Sequence, residues 1–136
     1  MSDPIKGVMV PALTPMMPDE EVDVASLRNL VDYLIDSGSH GIWAAGTTGE
    51  FASLSSAGHV KVIETIADHV GGRVPVVANV SASSTKLSVA LAQTVSGMSL
   101  DGIAATPPYY YPCAQDELLE HFRYINKSSG MPLWIY

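Results

Sequence analysis

Basic residues are scarce in this chain: seven Lys and Arg stand against fourteen Asp and Glu in 136 residues, a formal net charge of −7. Nucleic-acid binding requires a basic stripe to neutralise phosphates, so that class of partner is excluded, and an anionic membrane surface is disfavoured for the same reason. Cysteine is nearly absent. The single Cys113 excludes an internal disulfide and a thiolate metal site, and it fits a reducing compartment. Long apolar runs are missing too, with nothing near the roughly 20 residues that span a bilayer. The start Met1-Ser2-Asp3-Pro4 has no basic region followed by an apolar stretch. The expectation is a cytoplasmic protein with no membrane partner. His40, His59, His69 and His121 lack metal-ligand spacing, and no Gly-rich phosphate fingerprint or P-loop follows a strand, so neither a metal nor a nucleotide cofactor is expected.

What the chain does have is a repeating unit. Gly7–Leu13 reads as a first strand, bounded by glycine and a Pro-rich turn, although Pro11 weakens it because proline cannot donate to a ladder. Asp23 is placed to cap a helix whose apolar positions Leu27, Leu30, Val31, Leu34 and Ile35 follow a helical period, closed by Gly38. The pattern then recurs. Strand Gly41–Ala45 precedes a helix from about Ser55, with Val60, Ile63, Ile66, Ala67 and Val70 inward and Gly71-Gly72 ending it. Strand Pro75–Val80 precedes a helix with Leu87, Ala90, Leu91, Val95 and Met98 inward and Gly97 at its end. Strand Gly102–Ala105 precedes a helix from about Gln115 to Lys127 that buries Leu118, Phe122 and Ile125, and Pro132–Tyr136 is a fifth strand.

Short strands that are apolar at every position, alternating with amphipathic helices, mark an α/β protein with a parallel sheet. Strand starts recur about every thirty residues, close to the spacing of a (β/α)8 TIM barrel, in which roughly 250 residues carry eight units. About four and a half units are present. An open doubly wound sheet would also accommodate five parallel strands. The barrel is favoured because polar residues follow several different strands at their carboxyl ends instead of clustering at one crevice.

Those residues are Thr14, then Thr47 and Thr48, then Asn79, then Tyr109 to Tyr111, then Tyr136. The stretch Gly46-Thr47-Thr48-Gly49-Glu50 stands out, since a turn with two glycines can aim successive N–H groups and two hydroxyls at a small anion. It can equally be a plain strand-to-helix turn whose threonines satisfy local backbone groups. Thr47, Tyr110 and Tyr136 could form a hydrogen-bonded chain that passes a proton, or the tyrosines could simply pack a Pro-rich loop against a neighbour. Glu50 fits either a general base or a cap or ion-pair partner.

With these residues in place, the chain resembles the dihydrodipicolinate synthase and N-acetylneuraminate lyase family of (β/α)8 barrels, Schiff-base lyases and aldolases that handle pyruvate. The matching features are Gly7 to Pro15, Gly46-Thr47-Thr48-Gly49-Glu50, Pro107-Pro108-Tyr109-Tyr110 and Leu133-Trp134-Ile135-Tyr136, in the family's order and spacing. The resemblance implies that residues 1–136 are the N-terminal half of a single catalytic barrel. It implies that Thr47 and Thr48 bind the carboxylate of a 2-oxo acid such as pyruvate, with Thr47 also in a proton relay. Tyr136 would be the general acid and base, and Tyr110 would complete the relay. In the family this tyrosine is lent across a tight dimer, so a homodimer or homotetramer is implied. An aldehyde is the implied second partner.

The chain also departs from the family. The resemblance places the nucleophilic lysine at the end of a sixth strand, past Tyr136. Lys6, Lys61, Lys86 and Lys127 precede a strand or lie in helical stretches, where none can be desolvated inside a barrel. An isolated half barrel would expose two strand edges, so the 136 residues are expected to be the first half of a longer chain. Asn79, Val80 and Ser81 stand where the family usually has glycines, and Phe51 stands where synthases tend to have a small polar residue. The expected activity is therefore a lyase or aldolase joining or cleaving a 2-oxo acid and an aldehyde through a lysine imine. The alternatives are a catalytically silent 2-oxo acid binding paralogue or fragment, and an open anion-binding domain.

Overall fold

The computed structural model describes residues 5–136. Five strands alternate with four helices: β1 (Met9–Pro11), α1 (Val24–Asp36), β2 (Gly41–Ala44), α2 (Ser56–Val70), β3 (Val76–Asn79), α3 (Thr85–Val95), β4 (Gly102–Ala105), α4 (Gln115–Ser129) and β5 (Leu133–Ile135). A single 3-10 turn, Phe51–Ser53, leads from β2 into α2.

The helices begin where short polar side chains can take up free backbone donors. Asp23 accepts from the Ser26 N–H at 3.0 Å, and Ser55 accepts from the Gly58 N–H at 3.0 Å. Glu117 reaches back to the Ala114 N–H at 2.7 Å at the start of α4. Two helices end on a glycine in the left-handed region, Gly71 (φ +56°) after α2 and Gly130 (φ +65°) after α4. The third helix differs from its sequence reading. It stops at Val95, and Gly97 has no left-handed geometry. Its buried residues are Ser88, Ala92 and Val95, and Leu91 and Met98 pack partly buried against the core, while Leu87 is 53% exposed and Ala90 is exposed. The i, i+4, i+7 stripe through Ser88 won because its small side chains let the helix approach closely, whereas Leu87 lies one position out of phase.

All strands are parallel and lie in the order β1-β2-β3-β4-β5. This order removes the doubly wound alternative. In a doubly wound sheet the strand order reverses at a switch point, sending helices to both faces, whereas right-handed crossovers advancing in one direction leave all helices on one face. One core cluster accordingly joins Leu27 and Val31 of α1, Ile63 and Ile66 of α2, Ala92 of α3 and Ile125 of α4 to the same side of the sheet.

The strand residues facing this core are Ile42 and Ala44, Val76 and Ala78, and Ile103 and Ala105. By alternation the opposite, concave face carries Met9 and Pro11, Trp43, Val77 and Asn79, Ala104, and Trp134. Trp43 and Trp134 meet there edge to face, with ring centroids 5.6 Å apart. Pro11 is tolerated because β1 pairs only with β2, and the ladder continues past it through the Ala12 N–H to the Trp43 carbonyl at 3.0 Å.

Candidate functional site

Beyond the last core residue of β2 the backbone turns through two non-glycine residues of positive φ, Ala45 (+52°) and Glu50 (+57°). Between them Gly46 and Gly49 are buried, while Thr47 and Thr48 are exposed. The glycines have steric reasons. A side chain at Gly49 would meet the Ala12 carbonyl oxygen at 3.0 Å, and one at Gly46 would meet the Trp43 ring at 3.0 Å. The turn is closed by the Gly49 N–H to Gly46 carbonyl bond and the Glu50 N–H to Thr47 carbonyl bond, each 3.0 Å. Thr14 braces it from below, its hydroxyl donating to the Gly49 carbonyl at 2.7 Å. The N–H groups and hydroxyls of Thr47 and Thr48 donate to no protein acceptor among the described residues. The threonines thus do not satisfy local backbone groups as in a plain turn: the glycines make the turn, and the threonines keep their donors free.

These donors border a pocket of about 170 Å3 at the carboxyl ends of the strands. Met9, Pro11 and Trp43 form its apolar wall. Thr47, Thr48, Asn79, Thr106 and Tyr136 supply its polar groups, and among the described residues no charged side chain lines it. Tyr136 leans on Trp43, with ring centroids 6.3 Å apart, and its position follows from the Tyr136 N–H to Ala105 carbonyl bond of 3.0 Å that extends β5.

The structure thus brings Thr47, Thr48 and Tyr136 together, and it leaves Tyr110 outside. Tyr110 has φ +87°, is 87% exposed, and stacks edge to face on Tyr111 at 4.9 Å. Positive φ on an aromatic residue is strained, and such strain persists where the surroundings impose it. No hydrogen bond joins Thr47, Tyr110 and Tyr136 among the described residues, so within one chain the relay is not assembled. The reason is geometric: the Pro107–Pro112 loop splits its tyrosines, sending Tyr109 toward Phe51 (5.9 Å) and the other two outward. Glu50 is exposed and neither caps the following turn nor forms an ion pair among the described residues. Lys6, Lys61, Lys86 and Lys127 are all exposed and none lines the pocket, the last three lying on α2, α3 and α4, and Lys61 pairs with Glu64 at 3.4 Å.

A buried polar layer beneath the pocket was not assembled by sequence reasoning. His59 is 6% exposed, and its Nε2–H donates to the Asn79 carbonyl at 2.9 Å. His121 is 2% exposed; its Nε2–H donates to the Thr106 carbonyl at 3.3 Å, and its Nδ1 accepts from the Thr85 hydroxyl at 2.9 Å. Burial lowers the pKa of both below the ordinary histidine value, against the opposing effect of these carbonyl bonds. Neutral Nε2–H tautomers result, and they fix the backbone of the two strand ends that carry Asn79 and Thr106. The signal lay in helical phase, since His59 falls in register with Val62, Ile63 and Ile66, and His121 with Ile125. Next, the Thr106 N–H donates to the Ser81 hydroxyl oxygen at 2.8 Å, and that hydroxyl donates to Asn79 Oδ1 at 2.6 Å.

Comparison with known proteins identifies the family. The Dihydrodipicolinate synthetase family model matches residues 4–136. A 4-hydroxy-tetrahydrodipicolinate synthase from Cellvibrio japonicus is 39% identical over 132 residues, covering 97% of this chain and 46% of the relative. The crystal structure of a chloride-inhibited dihydrodipicolinate synthase from Acinetobacter baumannii complexed with pyruvate superposes with TM-score 0.93 at 34% identity, over 98% of this chain and 46% of that one. A Proteus mirabilis N-acetylneuraminate lyase, 23% identical with TM-score 0.90 over 96% of this chain and 45% of the other, is alike in fold. The chain spans about half the length of the curated relatives it matches, and its five strands are a contiguous arc of their (β/α)8 barrel. On the match of the family model to residues 4–136, the chain belongs to the dihydrodipicolinate synthetase family.

Proposed function

We propose that these residues form the 2-oxo acid binding half of a Schiff-base lyase barrel, acting on pyruvate or a close analogue together with an aldehyde. The observation that carries this reading is one pocket in which the free donors of Thr47 and Thr48 face the same space as the Tyr136 ring. Two N–H groups and two hydroxyls suit a carboxylate, an acceptor with about four lone-pair sites. The apolar wall of Met9, Pro11 and Trp43 suits a methyl group. With the carboxylate on the threonines, the carbonyl carbon falls toward Tyr136. A lysine amine attacking that carbon forms an imine and expels water, and Tyr136 carries the protons that this exchange requires.

The amine is supplied by a segment following Tyr136, because all four lysines of this chain are exposed and none lines the pocket. Residues 1–136 then constitute the N-terminal half of one barrel domain. Tyr110, strained and projecting, serves the pocket of a second copy in a homodimer or homotetramer, where it completes the relay with Thr47 and Tyr136. The relative's pyruvate complex supports the choice of 2-oxo acid. A binding-only role is the competing reading, favoured because none of the lysines seen lines the pocket.

Calorimetric titration of the full-length protein with pyruvate tests the pocket. Saturable binding that Thr48→Val weakens by about 10- to 100-fold is expected, the range for a hydrogen bond to a charged group. Binding that is absent, or indifferent to Thr48→Val, contradicts the assignment.

A further inference from the structure

Trp43 reaches both ends of the pocket. It stands on the concave face of β2, half-buried, with Pro11 of β1 and Val77 of β3 as its register partners. At one end its pyrrole edge lies against the root of the Thr47–Thr48 turn, since a Cβ on Gly46 would come within 3.0 Å of its Cδ1 and 3.2 Å of its Nε1. At the other end its ring meets that of Tyr136, with centroids 6.3 Å apart. Two residues back along β5, Trp134 abuts it edge to face, at 5.6 Å with the ring planes 80° apart. A ring held on three sides has a fixed place, and moving it disturbs close packing on every one of them. The ring is also open to a ligand, because Trp43 lines the cavity beside Thr47, Thr48 and Tyr136.

Resting on the reading of the pocket given above, we infer that Trp43 is a specificity-determining residue that limits the 2-oxo acid to a three-carbon chain. A 2-oxo acid with its carboxylate on Thr47 and Thr48 and its carbonyl carbon at Tyr136 spans the two ends that Trp43 joins. Its third carbon then rests on the indole ring. A methyl group packs there as one apolar surface on another. The fourth carbon of 2-oxobutyrate extends from that point into the wall. Trp43 could make room only by moving onto Trp134 or onto the Gly46 backbone, and neither has a flexible end that yields. Turned aside instead, the added carbon covers the polar groups of Thr106 or Tyr136 and gives them no hydrogen bond. Both courses penalise the longer acid, and the ring that braces the wall is the cause of the first.

The test compares pyruvate with 2-oxobutyrate as the acid trapped by borohydride in the full-length protein, at equal subsaturating concentrations. The unaltered protein is expected to form the pyruvate adduct faster by about tenfold or more, the range for one misfitted carbon in an apolar pocket. Trp43→Val is expected to lower that ratio by about tenfold, and Trp43→Phe to lower it less. A loss of folded protein in either variant slows both acids alike and cancels in the ratio. Equal trapping of the two acids by the unaltered protein overturns the inference without recourse to any variant. So does a ratio unmoved by Trp43→Val. Either result, with a pyruvate adduct present, removes this inference alone. Absence of a pyruvate adduct in the unaltered protein removes the pocket reading itself, and this inference with it.

Discussion

His59 and His121 show how a single residue ties the core to the pocket. Each is buried, neutral and bonded to the carbonyl of a strand-end residue that lines the site. Their folded pKa values lie below the unfolded value, which is near 6.5. The unfolded chain then binds more protons than the folded one as pH falls below about 6.5, so stability is full above that value and declines beneath it. Urea unfolding of the full-length protein at pH 7.5 and at pH 5.5 should show a lower midpoint at the acid pH, and His59→Gln should reduce the difference. An unchanged difference would mean that His59 is not held neutral by the fold. At the same scale, Asn79 shows what a linear reading misses. Its place after β3 was legible, but the hydrogen bonding of its amide depends on Ser81 and Thr106 arriving from two strands, and no spacing rule encodes that meeting.

Among the elements, the strands were the most legible part. Gly102–Ala105, the cap at Asp23 and the start of α2 near Ser55 stand where composition puts them, because an unbroken apolar run or a cap side chain has few alternatives. The third helix was misphased at Leu87 because leucine outweighs Ser88 and Ala92 in hydrophobicity, whereas close packing against the sheet selects for small size; Leu91, Val95 and Met98 do pack on the core. The two phases predict opposite outcomes. Leu87→Ala should change stability by no more than about 0.5 kcal/mol, as at an exposed position, while Ser88→Leu should cost about 1–3 kcal/mol through overpacking. Thermal unfolding of both variants decides between them. The Thr-Thr turn was legible as an anion seat or a turn, and only the hydrogen-bond pattern showed that the turn leaves the threonine donors without a protein acceptor among the described residues.

For the whole molecule, the consecutive strand order made the barrel recognisable where periodicity alone could not, since both candidate architectures share the same repeat. The arc also has two edges. Val8 (61% exposed) and Leu13 (55%) flank β1, and Ile135 (66%) lies on β5. A protein consisting of these 136 residues alone is expected to self-associate through those edges, giving concentration-dependent sedimentation, whereas a stable monomer would show that the edges are self-protected. The central claim is that this arc binds a 2-oxo acid for a lysine supplied from beyond Tyr136. Borohydride reduction of the full-length protein with pyruvate, followed by peptide mapping, tests it most directly. The account predicts one adduct, on a lysine in a peptide that follows Tyr136. An adduct on Lys6, Lys61, Lys86 or Lys127, or saturable pyruvate binding with no adduct at all, would contradict it.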